Sequence, residues 1–128
     1  MTSKSRCIAR REWLSSAAGL LSLQVCGQYE TAEVIGSSNY LLKSPPEIAE
    51  PWYYYGNYYY AQGMYQRGGE HAATARQRTE QILVGAQGAE GNWFPRNGNE
   101  KSAGSVYATS LALLSLSVHH HFLPIYQK

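Results

Sequence analysis

Aspartate is absent from this 128-residue chain, and all nine acidic residues are glutamate. Cysteine is scarce. Cys7 and Cys26 are too far apart for a metal-ligand spacing and give no disulfide framework. They read as a mobile terminal thiol and a buried small apolar residue. Basic residues are scattered, with no run longer than Arg10-Arg11 and a net charge of only +2, so the footprint of a nucleic-acid binder is missing. No segment approaches the ~20 consecutive apolar residues of a transmembrane helix. What remains is 44% hydrophobic and 16% charged, the balance of a folded domain rather than a disordered tail. The length allows at most one ordinary domain with a modest core. The notable surplus is tyrosine, eleven residues crowded mainly into one segment.

An internal repeat organises the chain. Leu20-Leu21-Ser22-Leu23-Gln24-Val25 and Leu113-Leu114-Ser115-Leu116-Ser117-Val118 agree at five of six positions, 93 residues apart. A shorter offset of 41 pairs Trp52 with Trp93, Leu41-Leu42 with Ile82-Leu83, Leu23 with Met64 and Gly27 with Gly68. The offsets agree if the loop after Trp93 is about eleven residues longer than the one after Trp52, and residues 97–105, rich in Gly, Asn and Ser, are where the insertion belongs.

Five helices are expected. The first, 11–26, carries small residues at Ser15, Ala18 and Ser22 that leave room for a close neighbour. The second, 31–43, has Val34, Ile35, Leu41 and Leu42 near helical spacing and is stopped by Ser44-Pro45-Pro46. The third, 54–67, ends at Gly68-Gly69. The fourth, 70–86, shows Arg and Glu on an exposed face, with Glu80 four residues after Arg76. The fifth, 106–119, is almost wholly apolar and should be buried on most sides.

Within the third segment, Tyr53-Tyr54-Tyr55-Gly56-Asn57-Tyr58-Tyr59-Tyr60 has the aromatic clustering of a β-strand. Its place in the repeat register is that of a helix, and tertiary context overrides propensity, so helix is expected. Arg10-Arg11-Glu12-Trp13-Leu14 with the apolar stretch behind it resembles a twin-arginine export signal. A signal peptide has no reason to match a helix 93 residues later, so the repeat reading takes precedence, and the cytoplasm is favoured over export without either being fixed.

Gln87-Gly88-Ala89-Glu90-Gly91-Asn92-Trp93 is similar to the glutamine–tryptophan motif, Gln-x-x-Asp/Glu-Gly-x-Trp, of squalene–hopene and oxidosqualene cyclases. Val106-Tyr107-Ala108-Thr109-Ser110-Leu111-Ala112-Leu113-Leu114-Ser115-Leu116 resembles the small-residue inner helix that follows it. Such repeats recur in protein prenyltransferase β subunits and related α/α toroids. The resemblance implies an all-α fold of antiparallel helical-hairpin repeats in an incomplete α/α toroid. Residues 1–10 would be a flexible segment, and 11–128 about two and a half repeats from the C-terminal portion of such a domain. It gives Gln87, Glu90, Gly91 and Trp93 a structural role. Gln87 can satisfy groups at a helix end, Gly91 permits positive φ, and Trp93 closes the hairpin. Trp52 is the counterpart in a degenerate first copy, where Pro45, Pro46 and Pro51 rigidify the loop.

The chemistry of this superfamily needs residues that are missing here. Triterpene cyclases protonate their substrate with an aspartic acid, protein prenyltransferases hold zinc with Asp, Cys and His, and prenyl diphosphate enzymes bind magnesium through aspartates. The thioester domains with related toroids need Cys-Gly-Glu-Gln, and Cys26-Gly27-Gln28-Tyr29 departs from it. His119-His120-His121, on an extended segment, would point in alternating directions and hold no metal. Glu70-His71 reads as a helix-start pair. The remaining functional candidates are Tyr55, Tyr58, Tyr59 and Tyr65, which could share one helix face and line an apolar ligand through their π faces. Tyr54 and Tyr60 fall on another face, and packing between helices is the competing role. The expected function is a non-catalytic repeat module with a structural, apolar or isoprenoid-like ligand-binding, or protein-binding role, and no cofactor. The alternative is the C-terminal segment of a squalene–hopene cyclase-like enzyme whose acid lies upstream. The chain opens in mid-repeat, as a truncated product or short paralogue would.

Overall fold

In the computed structural model the chain is described over residues 3–120, with side chains from residue 12 onward. The side chain of Cys7, His121 and the segment from Phe122, for which packing against the last helices is a natural expectation, lie outside that range. Five α-helices make up the described chain: α1 Ser3–Val25, α2 Ala32–Lys43, α3 Tyr53–Arg67, α4 Gly69–Ala86 and α5 Gly104–Leu116. Short 310 helices occupy Gly98–Ala103 and Val118–His120, and there is no strand among the described residues. No described helix is long and apolar enough to cross a membrane. The first helix begins at Ser3, eight residues before the start at Arg11 that the sequence suggests.

The tyrosine-rich segment is helical. Burial explains why strand propensity loses: Tyr53, Tyr54, Asn57, Tyr60, Ala61 and Met64 are all buried, spaced so that α3 is covered by neighbours on several sides. The helix boundaries follow local chemistry. The Thr31 hydroxyl accepts from the Val34 amide at 3.4 Å and caps α2. Gly27 and Gly68, 41 residues apart, end α1 and α3 at φ of +85° and +73°, a conformation that costs other residues more.

The helices form two layers. α1, α3 and α5 lie side by side in one, α2 and α4 in the other. Within a layer the helices run parallel. Trp13 and Leu20 of α1 pack on Gly56 and Gly63 of α3, where an added Cβ would come within 2.5 Å of Trp13 and 2.9 Å of Leu20. Gln24 continues that seam, its amide donating to the Gly63 carbonyl at 3.0 Å. On the other side of α3, Tyr54 packs with Ala108 of α5, and Ala61 lies by Ser115. The outer helices are linked by His71 to Asn39 at 2.9 Å. Their buried residues repeat in register, Val34 and Ser38 of α2 standing 41 residues before Ala75 and Thr79 of α4.

Three expectations about packing need correction. Ser15 and Ser22 are exposed, because the glycines of α3, not the serines of α1, make the close approach. Cys26 is exposed one residue past the end of α1. α5 is buried on one side only: Ala108, Ala112 and Ser115 face α3, while Val106, Leu113 and Leu114 are 83%, 51% and 36% exposed, no further helix covering them among the described residues.

Candidate functional site

The loop after α4 folds by the residues of its motif. The Gln87 side-chain amide donates to the Gly91 carbonyl at 2.9 Å, and the Gly88 amide donates to the Asn92 carbonyl at 2.7 Å. Gly91 takes φ of +84°, the left-handed conformation that glycine adopts without strain. Trp93 is buried, and its indole N–H donates to the Leu83 carbonyl at 2.8 Å. That carbonyl is among the last four of α4, which have no partner within the helix. Trp93, rather than Gln87, therefore caps α4. The Trp93 amide donates to the Thr109 hydroxyl at 3.0 Å, tying the turn to α5. Glu90 is exposed on the turn.

Trp52 does not repeat this role. Its ring is 40% exposed and meets Tyr55 edge-on at 6.2 Å. The proline-bearing loop runs into α3 directly after Trp52, leaving no chain with which the indole could fold back over α2. The equivalent carbonyl, that of Leu42, is instead taken by Arg78, which donates to Leu42 at 2.7 Å, Leu41 at 3.1 Å and the Tyr60 hydroxyl at 3.1 Å. The helix ends correspond, but different residues cap them.

The insertion after Trp93 supplies the other cap. In the 310 helix Gly98–Ala103, Glu100 is 2% exposed. Its Oε1 accepts from the Tyr54 amide at 3.0 Å, and its Oε2 from the Tyr55 amide at 3.0 Å and the Tyr107 hydroxyl at 2.6 Å. Trp52, in the N-cap position of α3, has no side-chain acceptor to offer. The carboxylate thus caps α3 from 45 residues away, and the positive end of the helix dipole offsets its burial. Burial pushes the Tyr107 phenol up, and the hydrogen bond to Glu100 adds to it. Sequence reasoning did not single out Glu100, Arg78 or Arg96.

Tyr55, Tyr58 and Tyr59 come together on the part of α3 that its neighbours leave open. Tyr55 and Tyr59 are 4.8 Å apart, Tyr58 and Tyr59 5.6 Å, each pair edge-on, so with Trp52 they form a continuous aromatic strip. Tyr65 is elsewhere. It lines a recess against α5 of about 20 Å³, room for little more than one water. The strip is a surface, not a cavity.

A larger cleft lies at the opposite end of α4. A cleft of about 550 Å³ opens between the loop before α3, the N-terminus of α3, the C-terminus of α4 and the loop after Trp93. Ile48, Tyr54, Ile82 and Phe94 supply its apolar wall, and Arg96 is its one charged lining residue. Ile48 and Phe94 are 39% and 53% exposed. The Tyr54 hydroxyl reaches the Phe94 carbonyl at 3.5 Å. Burial raises the Tyr54 phenol, Glu100 pushes it the same way, and Arg96 opposes them. Arg96 pairs with no carboxylate among the described residues.

The histidine run departs from expectation. Residues 118–120 form a 310 turn rather than an extended segment, and the His119 and His120 rings lie 4.1 Å apart instead of pointing in opposite directions. Among the described residues no three His, Cys, Asp or Glu side chains cluster as a metal site. No protein-family model, curated protein or solved structure matches the chain.

Proposed function

We propose that the chain is a non-catalytic repeat module of the α/α-toroid type that holds an apolar, isoprenoid-like chain in the cleft beside Phe94. The cleft carries the reading. Its volume of about 550 Å³ falls within the ~300–1,000 Å³ of small-molecule sites. Ile48 and Phe94 leave apolar surface in water there, and covering it would recover about 25 cal/mol per Å². Arg96 gives the rim one cation for an anionic or hydroxyl head group. The stacked hairpins and the glutamine–tryptophan turn support the toroid-type assignment. Glu100, 2% exposed, is committed to capping α3 through both of its carboxylate oxygens.

Gly85 makes the test clean. It lines the cleft and has no atom within 4 Å of an added Cβ, so Gly85→Phe fills the space without disturbing the core. A squalene-like hydrocarbon and a farnesyl-type alcohol should each raise the melting temperature of the parent chain by several degrees at saturation, as preferential binding to the native state requires. Gly85→Phe should abolish the rise. The proposal fails if the parent does not shift, or if the filled variant shifts equally.

A further inference from the structure

The exposed face of α5 is the part of the fold for which neither the repeat nor the cleft accounts. Val106, Leu113 and Leu114 place large apolar side chains in water on one helix. Register shows what such a face covers elsewhere in the molecule. Trp13 and Leu20 of α1, 93 residues before Val106 and Leu113, are the side chains that pack on Gly56 and Gly63 of α3. Tyr54 and Ala61 of α3 stand in the same register; Tyr54 shares a core cluster with Ala108 of α5, and Ala61 lines one recess with Ser115. α1 thus meets α3 through Trp13 and Leu20, and α3 meets α5 at the equivalent positions, where Tyr54 is large and Ala61 small, each against a small-residue face of the next helix. Among the described residues the interface is made twice, and two faces have no neighbour. One is Val106 and Leu113 on α5. The other is the small-residue face of α1, where Ser15 and Ser22, 41 residues before Gly56 and Gly63, are exposed.

We infer that α5 docks through Val106 and Leu113 onto Ser15 and Ser22 of α1 in a second copy of this chain, continuing the inner layer from one molecule to the next. The contact is head-to-tail, so it uses different faces on the two partners and closes into a ring or extends as a filament according to the rotation between copies. It extends an interface already present twice, which distinguishes it from a bare apolar patch in search of a cover.

The test is mixed-cysteine cross-linking of the full chain in a Cys7→Ser, Cys26→Ser background. A protein carrying Ser15→Cys and another carrying Val106→Cys should form a disulfide-linked heterodimer under mild oxidation. Light scattering of the parent should show mass rising with concentration above the 14.3 kDa of one chain. Leu113→Glu, at a half-exposed position where folding is not at stake, should return it to the monomer. A parent that stays monomeric at all concentrations overturns the inference. So does a Val106→Cys protein that cross-links to itself in preference to Ser15→Cys, which would indicate a two-fold dimer. A chain ending at residue 120 that associates where the full chain does not would show that residues 121–128 occupy the face, and would overturn it equally.

Discussion

At the scale of single residues, the fold is held by caps that come from far away in sequence. Glu100 satisfies two amides of α3 for which the N-cap residue offers no side-chain acceptor, and its loss would leave the Tyr54 donor unpaired in a buried setting and the Tyr55 donor in a partly buried one. Glu100→Ala is expected to cost about 3 kcal/mol, and Glu100→Gln, which keeps one acceptor oxygen, about 1–2 kcal/mol. Urea denaturation of the two variants decides it, and equal losses would show that the neutral oxygen kept by glutamine contributes nothing. Thr79 is the opposite case. Its hydroxyl is buried with no hydrogen-bond partner among the described residues, so no protein bond offsets its desolvation. Thr79→Val preserves shape and is expected to leave stability unchanged or raise it by up to about 1 kcal/mol. A fall in the melting temperature would reveal a partner for that hydroxyl.

At the scale of elements, the approach of α1 to α3 depends on two glycines rather than on hydrophobicity alone. Gly63→Ala would drive a methyl to within 2.9 Å of Leu20, and Gly56→Ala to within 2.5 Å of Trp13. Each is expected to destabilise by about 1–3 kcal/mol, overpacking outweighing the gain in helix propensity. Gly36 is the internal control. It sits mid-helix in α2 with no atom near an added Cβ, so Gly36→Ala should stabilise by about 0.5–1 kcal/mol. Thermal melts that ranked Gly63→Ala beside Gly36→Ala would mean that the α1–α3 seam is looser than the packing implies. The elements themselves were legible from sequence. Proline and glycine punctuation marked the ends of α2 and α3, and repeat register outweighed the strand propensity of the tyrosines. The exposed side of α5 was not legible, because an apolar run does not say how many neighbours it has.

At the scale of the whole molecule, stability should fall at both ends of the pH range. Burial raises Tyr53, Tyr54, Tyr60 and Tyr107 above the ordinary value of 10, Arg78 partly opposing the shift at Tyr60. A raised acid favours the native state below its unfolded value, so that contribution is complete below pH 10 and is lost as pH rises beyond it. Burial, with Arg67 nearby, lowers His71 below 6.5, so its contribution is complete above that pH and is lost on acidification through the lowered value. Alkaline unfolding should coincide with the phenolate absorbance contributed by Tyr53, Tyr54, Tyr60 and Tyr107, each read as the difference from its Phe variant, and His71→Gln should flatten the acid limb. Ionisation of those four well before the fold is lost would contradict the first expectation, and an unchanged acid limb the second.

Sequence by itself determined the helical class and the number and order of helices. Each of these is local: hydrophobic spacing, and residues that cannot continue a helix. The partners of those elements were decided only in three dimensions. Trp52 and Trp93 look equivalent along the chain, yet one is buried and the other half exposed, because a longer connection gives only the second indole room to turn back. Glu100 reads as one glutamate among nine until the insertion carries it to the start of α3. The cleft exists only where four separate segments meet. Packing joins residues 40 or 50 apart, and no local pattern encodes which of them will touch.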